Sequence, residues 1–355
     1  MIKLDKNSPD PLFVQIKNYL IDCIRSGKYK SRSSLPSIAE LEKMSSAGRV
    51  TVIKALCELA KEGFVTPVNG KGYYVKDNAD TPAVGIYSGG GLWDTGLGEL
   101  DYCRQVYRCF QAILFENSMK EILFIDPRPS KEQGNPWDVL EKAVREREIQ
   151  SLMVLNSDGQ QAKWLSLMPI PMTGLGRPIP CHIGYEMAQF YELALRSLSD
   201  KKCRSVGLIS HYRKDSTDYD CFQKAVKKAG MKICDEWFRG PSEPITKQER
   251  YGYEQFRKLW KQTHRPEGLM VFPDNMAKGV VTAVIQENVK VAEELHLALH
   301  RHAELNYICP FPATFIESSC HTVAQSMWEQ LQRQLNKKST KPVMLDFSAI
   351  DEKGE

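Results

Sequence analysis

Between Pro11 and Ser26, Leu12, Ile16, Tyr19, Leu20, Cys23 and Ile24 recur three or four positions apart, which predicts a helix with one apolar face. Pro11 suits the first turn, where its missing N–H costs nothing, and Gly27 suits the closing position. A second, short helix is predicted from Ser37 to about Met44. Ser37 and Glu40 have the spacing of a capping box, with Pro36 just before them. Ser45-Ser46-Ala47-Gly48 reads as a turn. A third helix is predicted from about Arg49 to Glu62, with Val52, Leu56 and Leu59 inward, Arg49, Thr51 and Lys54 outward, and Gly63 at its end. Two short helices joined by a tight turn make a helix-turn-helix pattern. The period then drops to two. Phe64–Val68 and Lys71–Val75 flank Asn69-Gly70, a hairpin signal in which both turn positions are expected at positive φ. A hairpin directly after a recognition helix is a wing. Lys71, between Gly70 and Gly72, can approach a phosphate or a minor groove there.

Residues 76–82 are polar, end in Pro82 and read as a linker. Beyond them, strands and helices alternate. Strands are predicted at 83–87, 121–125, 151–155, 172–175, 204–209, 231–234, 268–272 and 295–299. Helices are predicted at 99–117, 137–147, 183–198, 218–229, 251–262 and 275–287. Such alternation implies an open, mostly parallel α/β architecture, and this length suits two sheets.

Charge sharpens the division. Residues 1–75 hold nine Lys and three Arg against three Asp and four Glu, an excess of five. The rest of the 355-residue chain has 36 basic and 37 acidic residues. A basic module on a neutral body points to a polyanionic partner for the module alone. The composition, 42% hydrophobic and 26% charged, excludes collagen-like and mostly disordered chains. There is no run long enough for a membrane helix and no apolar leader at Met1–Lys6. The ten cysteines are scattered without a paired motif, so reduced thiols and a cytoplasmic location are expected. Phosphate-loop, nucleophile-elbow and zinc-protease motifs are all missing, and no cofactor is expected. Gly89-Gly90-Gly91 lacks the register of a dinucleotide loop. His300-Arg301-His302 has a spacing open to a metal, but the intervening Arg opposes a cation, and no metal is assigned.

Residues 9–75 resemble the GntR winged-helix family. The resemblance rests on Pro11–Ile16, Gly27, Leu35-Pro36-Ser37, Glu40-Leu41, Arg49, Thr51-Val52, Lys54-Ala55-Leu56, Leu59, Glu62-Gly63 and Gly70-Lys71-Gly72. It implies a DNA-binding domain over 1–75, with DNA contacts from Ser37, Arg49, Thr51, Lys54, Asn69, Gly70, Lys71 and Gly72. For Thr51 a helix cap, and for Lys54 a solvated face, are the structural alternatives. Ala39, Gly48 and Ile53 stand where family members usually carry Arg, Ser and Arg, so two DNA-contacting arginines are missing.

Gly268–Val280, Val291–His302 and Asp200–Gly207 resemble segments of the LacI/GalR effector domain. The resemblance implies that residues 83–355 form a two-lobed, periplasmic-binding-protein-like α/β domain with a ligand cleft between lobes. Pro273 and Asp274 fall on that family's Asn-Asp pair. Arg301 and His302 replace two of its acids, and Asp218 falls near its sugar-binding Arg. Trp93, in the loop after the first strand, is placed to stack on a sugar, with packing of the lobe as the structural alternative. His211, with Tyr212 and Arg213, follows a strand at the edge where open α/β sheets bind ligands. The effector site is therefore expected at Trp93, His211, Asp218, Asp274, Arg301 and His302. Arg301 favours an anionic or derivatised sugar, unless it is paired with an internal acid. Together these readings imply a homodimeric transcription regulator, repressing by default, that binds an inverted-repeat DNA operator and a sugar-like effector. The alternatives are an enzyme with a regulatory winged helix, or a winged helix used for protein contacts alone.

Overall fold

The computed structural model describes residues 2, 4–5, 8–76, 83–90, 100–176, 179–243, 245, 247–305 and 307–353. The first seventy-five residues form α1 (Leu12–Arg25), α2 (Ile38–Ser45), α3 (Arg49–Lys61), β1 (Val65–Val68) and β2 (Gly72–Val75). Ile16, Leu20, Leu41, Val52, Leu56, Leu59, Phe64 and Val75 meet in their own apolar core. Lys17 and Glu62 form an ion pair that joins α1 to the end of α3.

The hairpin departs from the two-residue Asn-Gly turn. Val68 pairs with Gly72, which leaves a three-residue loop closed by Lys71 N–H donating to the Val68 carbonyl at 2.9 Å. Gly70 and Gly72 take positive φ (75° and 99°), and Asn69 does not. Gly72 absorbs the extra residue because it can leave the left-handed region directly into the strand.

The body contains two six-stranded sheets. The first is built from β3 (Ala83–Ser88), α4 (Leu100–Glu116), β4 (Lys120–Ile125), α5 (Ser130–Gln133), α6 (Asp138–Arg145), β5 (Ser151–Asn156), α7 (Gly159–Leu165), β6 (Met172–Leu175) and β7 (His182–Tyr185). The chain then crosses to the second lobe. It forms α8 (Met187–Asp200), β8 (Val206–Ser210), α9 (Thr217–Lys228), β9 (Phe238–Arg239), α10 (Gln248–Trp260), β10 (Gly268–Phe272), α11 (Asp274–Gln286), β11 (His296–His302) and β12 (Ala313–Ser318). α12 (Cys320–Leu335) and β13 (Val343–Leu345) return to the first lobe, and β14 (Ser348–Glu352) ends in the second. The strand orders are β13-β7-β6-β5-β3-β4 and β14-β12-β11-β10-β8-β9, parallel except for β14 against β12. All six residues of β3 and all five of β8 are buried, because helices cover both faces of a parallel sheet.

Two predicted elements change. Ile183–Tyr185 belongs to β7, not to a helix, and α8 starts at Met187, after the chain has left the first sheet. Met231–Cys234 contributes only a Lys232–Ser205 bridge, and the sheet edge is taken by β9 instead. The three crossings lie close together. Tyr185 Oη donates to the Ser319 carbonyl at 3.0 Å and accepts from Ser319 N–H at 3.1 Å, and its ring lies 4.8 Å from that of Phe347. These contacts tie the crossing strands into one hinge region beside the C-terminal strand ends. Residues 77–82 of the predicted linker lie outside the described residues.

Candidate functional site

The helix-turn-helix is set by its turns. Ser37 Oγ accepts from Glu40 N–H at 3.3 Å, and Glu40 Oε2 accepts from Ser37 N–H at 2.7 Å and from Ser37 Oγ at 2.8 Å. Both polar groups of Ser37 thus serve the start of α2. α3 begins after Gly48 with no side-chain cap, so Thr51, inside its first turn, is not the cap residue. Arg49 and Lys54 are exposed, and Lys54 Nζ lies 4.0 Å from the centroid of the Phe13 ring. The positive end of the α3 dipole adds to Arg49 at this surface. Val50, 81% exposed between them, is a residue the sequence reading missed. Its signal was available: a large apolar residue outside the 52-56-59 stripe. The wing sets Asn69, Gly70, Lys71 and Gly72 in solvent.

The second constellation lies at the C-terminal strand ends of the second lobe. Asp274, the first residue of α11, is 3% exposed. Its Oδ1 stands 3.9 Å from His302 Nε2. Its Oδ2 has no hydrogen-bond partner among the described residues and lies 3.9 Å from Lys278 Nζ. Lys278 Nζ donates to Asn275 Oδ1 at 3.0 Å. His300 and His302 share one face of β11 with their rings 4.7 Å apart. Asp274 N–H donates to His300 Nδ1 at 3.1 Å. Ser318 Oγ lies 3.0 Å from His300 Nε2 and 2.7 Å from His302 Nδ1. Tyr102, on α4 of the other lobe, stacks on His302 at 4.4 Å and 12°. His211 packs against Tyr212 and Phe272, and burial pushes its imidazole down to about 4. Burial also holds His300 and His302 below the ordinary histidine value. Ionised imidazoles are poorly solvated here, so all three rings are neutral near pH 7.

The predicted effector residues separate. Asp274, His302 and His211 come to the strand ends. Asp218, on the first turn of α9, is close enough to Tyr212 to reinforce the upward push that burial gives its phenol. Trp93 lies outside the described residues. Arg301 is the correction. It points from the other face of β11, donates to Glu317 Oε1 at 2.8 and 2.5 Å and to Glu352 Oε1 at 2.6 Å, and lies 3.9 Å from the Phe315 ring centroid. Strand alternation separates Arg301 from its neighbours, and internal acids occupy its guanidinium. The anionic-ligand expectation loses its cation. The sequence argument against a metal at His300–His302 also loses its premise. Asp274 joins the two rings, with one donor atom from each residue within 4.8 Å of the others, and Arg301 faces away.

Comparisons with known proteins divide the chain in the same way. Residues 12–75 match the family of bacterial regulatory proteins, gntR family, and residues 195–347 match the periplasmic binding protein-like domain. The chain is 36% identical over 84 residues to the HTH-type transcriptional repressor YtrA of Bacillus subtilis, covering 24% of this chain and 65% of that protein. It is 25% identical over 154 residues to the HTH-type transcriptional repressor PurR of Glaesserella parasuis, covering 42% of this chain and 44% of that protein. A further relative, an HTH-type regulator of Bacillus subtilis, is matched over 30% of its length. The chain thus spans less than two thirds of the curated relatives it matches. In solved structures, a LacI family transcription regulator from Clostridium acetobutylicum has the same fold over 76% of this chain and 99% of that one, with TM-score 0.62 and 14% identity. The regulator CcpA of Lactococcus lactis matches at TM-score 0.59 and 14% identity, over 78% of this chain and 100% of that chain.

Proposed function

We propose that this chain, a GntR-family helix-turn-helix domain followed by a periplasmic-binding-protein-like domain, is a DNA-binding transcription regulator controlled by a small-molecule effector. The observation that carries the reading is the joining, in one chain, of a basic winged helix with exposed Arg49, Lys54 and Lys71 to a two-lobed domain with a buried, unpartnered carboxylate oxygen at its strand ends. The winged helix takes residues 1–75, residues 76–82 link, and residues 83–355 form the effector domain.

Arg49 and Lys54 meet DNA from α3, Lys71 from the wing, and Thr51 and Val50 present a hydroxyl and methyl groups to the base edges between them. Ser37, Asn69, Gly70 and Gly72 shape the same surface. Asp274, His302, His211, Asp218 and Trp93 receive the effector, a sugar or sugar derivative without a strong negative charge. Two-fold pairing through the effector domain doubles a contact that covers only a few base pairs and calls for an inverted-repeat operator. Effector affinity that differs between lobe arrangements would move the paired DNA-binding domains, with repression as the default outcome. A gel-shift assay with the DNA upstream of this gene tests the reading: specific retention that a sugar panel modulates is expected. Absence of retention at low salt, or a sedimentation mass of one chain with tight binding intact, would overturn the DNA-binding or the dimer part respectively.

A further inference from the structure

Two histidines and a carboxylate are the composition of a transition-metal site. The hydrogen bonds around Asp274, His300 and His302 point to a different use. Asp274 N–H donates to His300 Nδ1 at 3.1 Å. A backbone N–H only donates, so Nδ1 carries no proton, and a neutral ring then holds its proton on Nε2. That proton goes to Ser318 Oγ, 3.0 Å away. The Ser318 hydroxyl in turn donates to the remaining ring in reach, at His302 Nδ1, 2.7 Å away. His302 is therefore protonated on Nε2, and Nε2 faces Asp274 Oδ1, at the residue where the chain of bonds began. Both imidazole lone pairs are occupied, by a backbone N–H and by a hydroxyl, so neither ring offers one to an ion.

We infer that this run of hydrogen bonds, open only between His302 and Asp274, holds His302 as its Nε2–H tautomer facing a carboxylate whose Oδ2 has no partner among the described residues, and so makes this wall of the cleft a donor–acceptor subsite for an uncharged group. The group it takes offers one acceptor and one donor on neighbouring atoms, as a lactam edge or a vicinal diol does. The inference rests on the effector reading of the cleft and deepens it. At 3.9 Å, Nε2 and Oδ1 are too far apart for a good hydrogen bond, so the Nε2 proton is not taken up by Asp274 and is left for a group that accepts from His302 while donating to the carboxylate. Lys278 lies 3.9 Å from Oδ2 and balances the carboxylate, so an uncharged ligand leaves no charge unmatched. Ser318 and His300 are positioning residues: they fix the proton on His302 without facing the ligand. The Tyr102 ring, stacked on His302 from the other lobe, gives the occupied subsite a contact across the cleft.

Histidine nitrogens report their own protonation in long-range 1H–15N spectra, and the full 15N-labelled chain has only seven histidines to assign, by single His→Gln variants. His300 and His302 are both expected to show a protonated Nε2 and a bare Nδ1. In Ser318→Ala the His302 signals should move toward a tautomer mixture while His300 keeps a bare Nδ1. Zinc ion alone should shift neither ring. Of two probes, 2-pyrrolidinone for the lactam and cis-1,2-cyclohexanediol for the diol, at least one should move His302 Nε2–H, with affinity at least tenfold weaker in Asp274→Ala. Which probe acts tells the two ligand chemistries apart. A proton on His302 Nδ1, a zinc-induced shift of either ring, or no response to either probe would overturn the inference. None of those results would touch operator binding, which the gel shift reads separately.

Discussion

Arg301 and His302 are neighbours in the chain and belong to opposite faces of β11, so each is read by a different environment. Arg301 is paired with Glu317 and Glu352 over the Phe315 ring. Replacing it with Ala leaves Glu317, which is mostly buried, without its counter-charge. Urea unfolding of Arg301→Ala should show a loss of about 3 kcal/mol, with effector affinity unchanged. His211 sits against Tyr212 and Phe272, which hold its imidazole down to about 4. The unfolded chain titrates near the ordinary value of ~6.5 and so takes up the proton first as the pH falls. The stability this group contributes is complete above about pH 6.5. It falls away toward pH 4, by at most about 1.4 kcal/mol per pH unit. Melting temperatures measured at pH 7 and pH 5 should therefore differ less in His211→Phe than in the parent chain.

At the scale of elements, α10 and α11 cross almost backbone to backbone. A Cβ built on Gly279 would stand 1.9 Å from the Glu249 carbonyl oxygen, and one on Gly252 2.3 Å from that of Met276. α11 carries Asp274 at its first residue, so this crossing sets where the carboxylate stands. Gly279→Ala must push the helices apart, at a cost of about 1–3 kcal/mol, and should lower the melting temperature and weaken effector binding together. Recognition helix and wing have different expected roles. Arg49→Ala should cost about 1–3 kcal/mol at the operator if it reads a base edge. Lys71→Ala should weaken binding to all sequences alike and reduce the salt slope by about one. Equal sequence preference in wild type and Arg49→Ala would move Arg49 from base reading to phosphate contact.

For the molecule as a whole, the charge excess of five lies in residues 1–75, and the remaining 280 residues are near neutral. DNA affinity should fall linearly on a log–log plot against salt, by roughly 0.9 for each phosphate neutralised. A chain beginning at Thr81 should bind no DNA at any salt concentration, and retained binding would transfer the contact to the body. The second lobe is closed by segments apart in sequence: β14 pairs with β12, and Lys201 reaches Asp351 at 2.7 Å. Deleting residues 348–353 would expose the β12 edge and leave Arg301 with one acid of two.

The sequence by itself determined the helix-turn-helix, the wing and the parallel α/β body, because these depend on local periods, caps and turn residues. Ser37–Glu40 capped α2 where the capping-box spacing put it, and apolar runs bounded by turn residues located both wing strands and seven of the eight strands read in the body. The misreadings lie where local signals are ambiguous. Ile183–Tyr185 runs straight into α8, and only the crossing between lobes separates strand from helix. Asp274, His302 and His211 could be named from strand-end position and family resemblance, yet nothing local revealed their partners. Ser318 lies sixteen residues beyond His302, and Glu317 and Glu352 lie sixteen and fifty-one residues beyond Arg301. Tertiary structure alone decided those pairings, because strand register chooses which face each side chain takes. The same register put His302 against Ser318 and Asp274, and Arg301 against two acids on the reverse side.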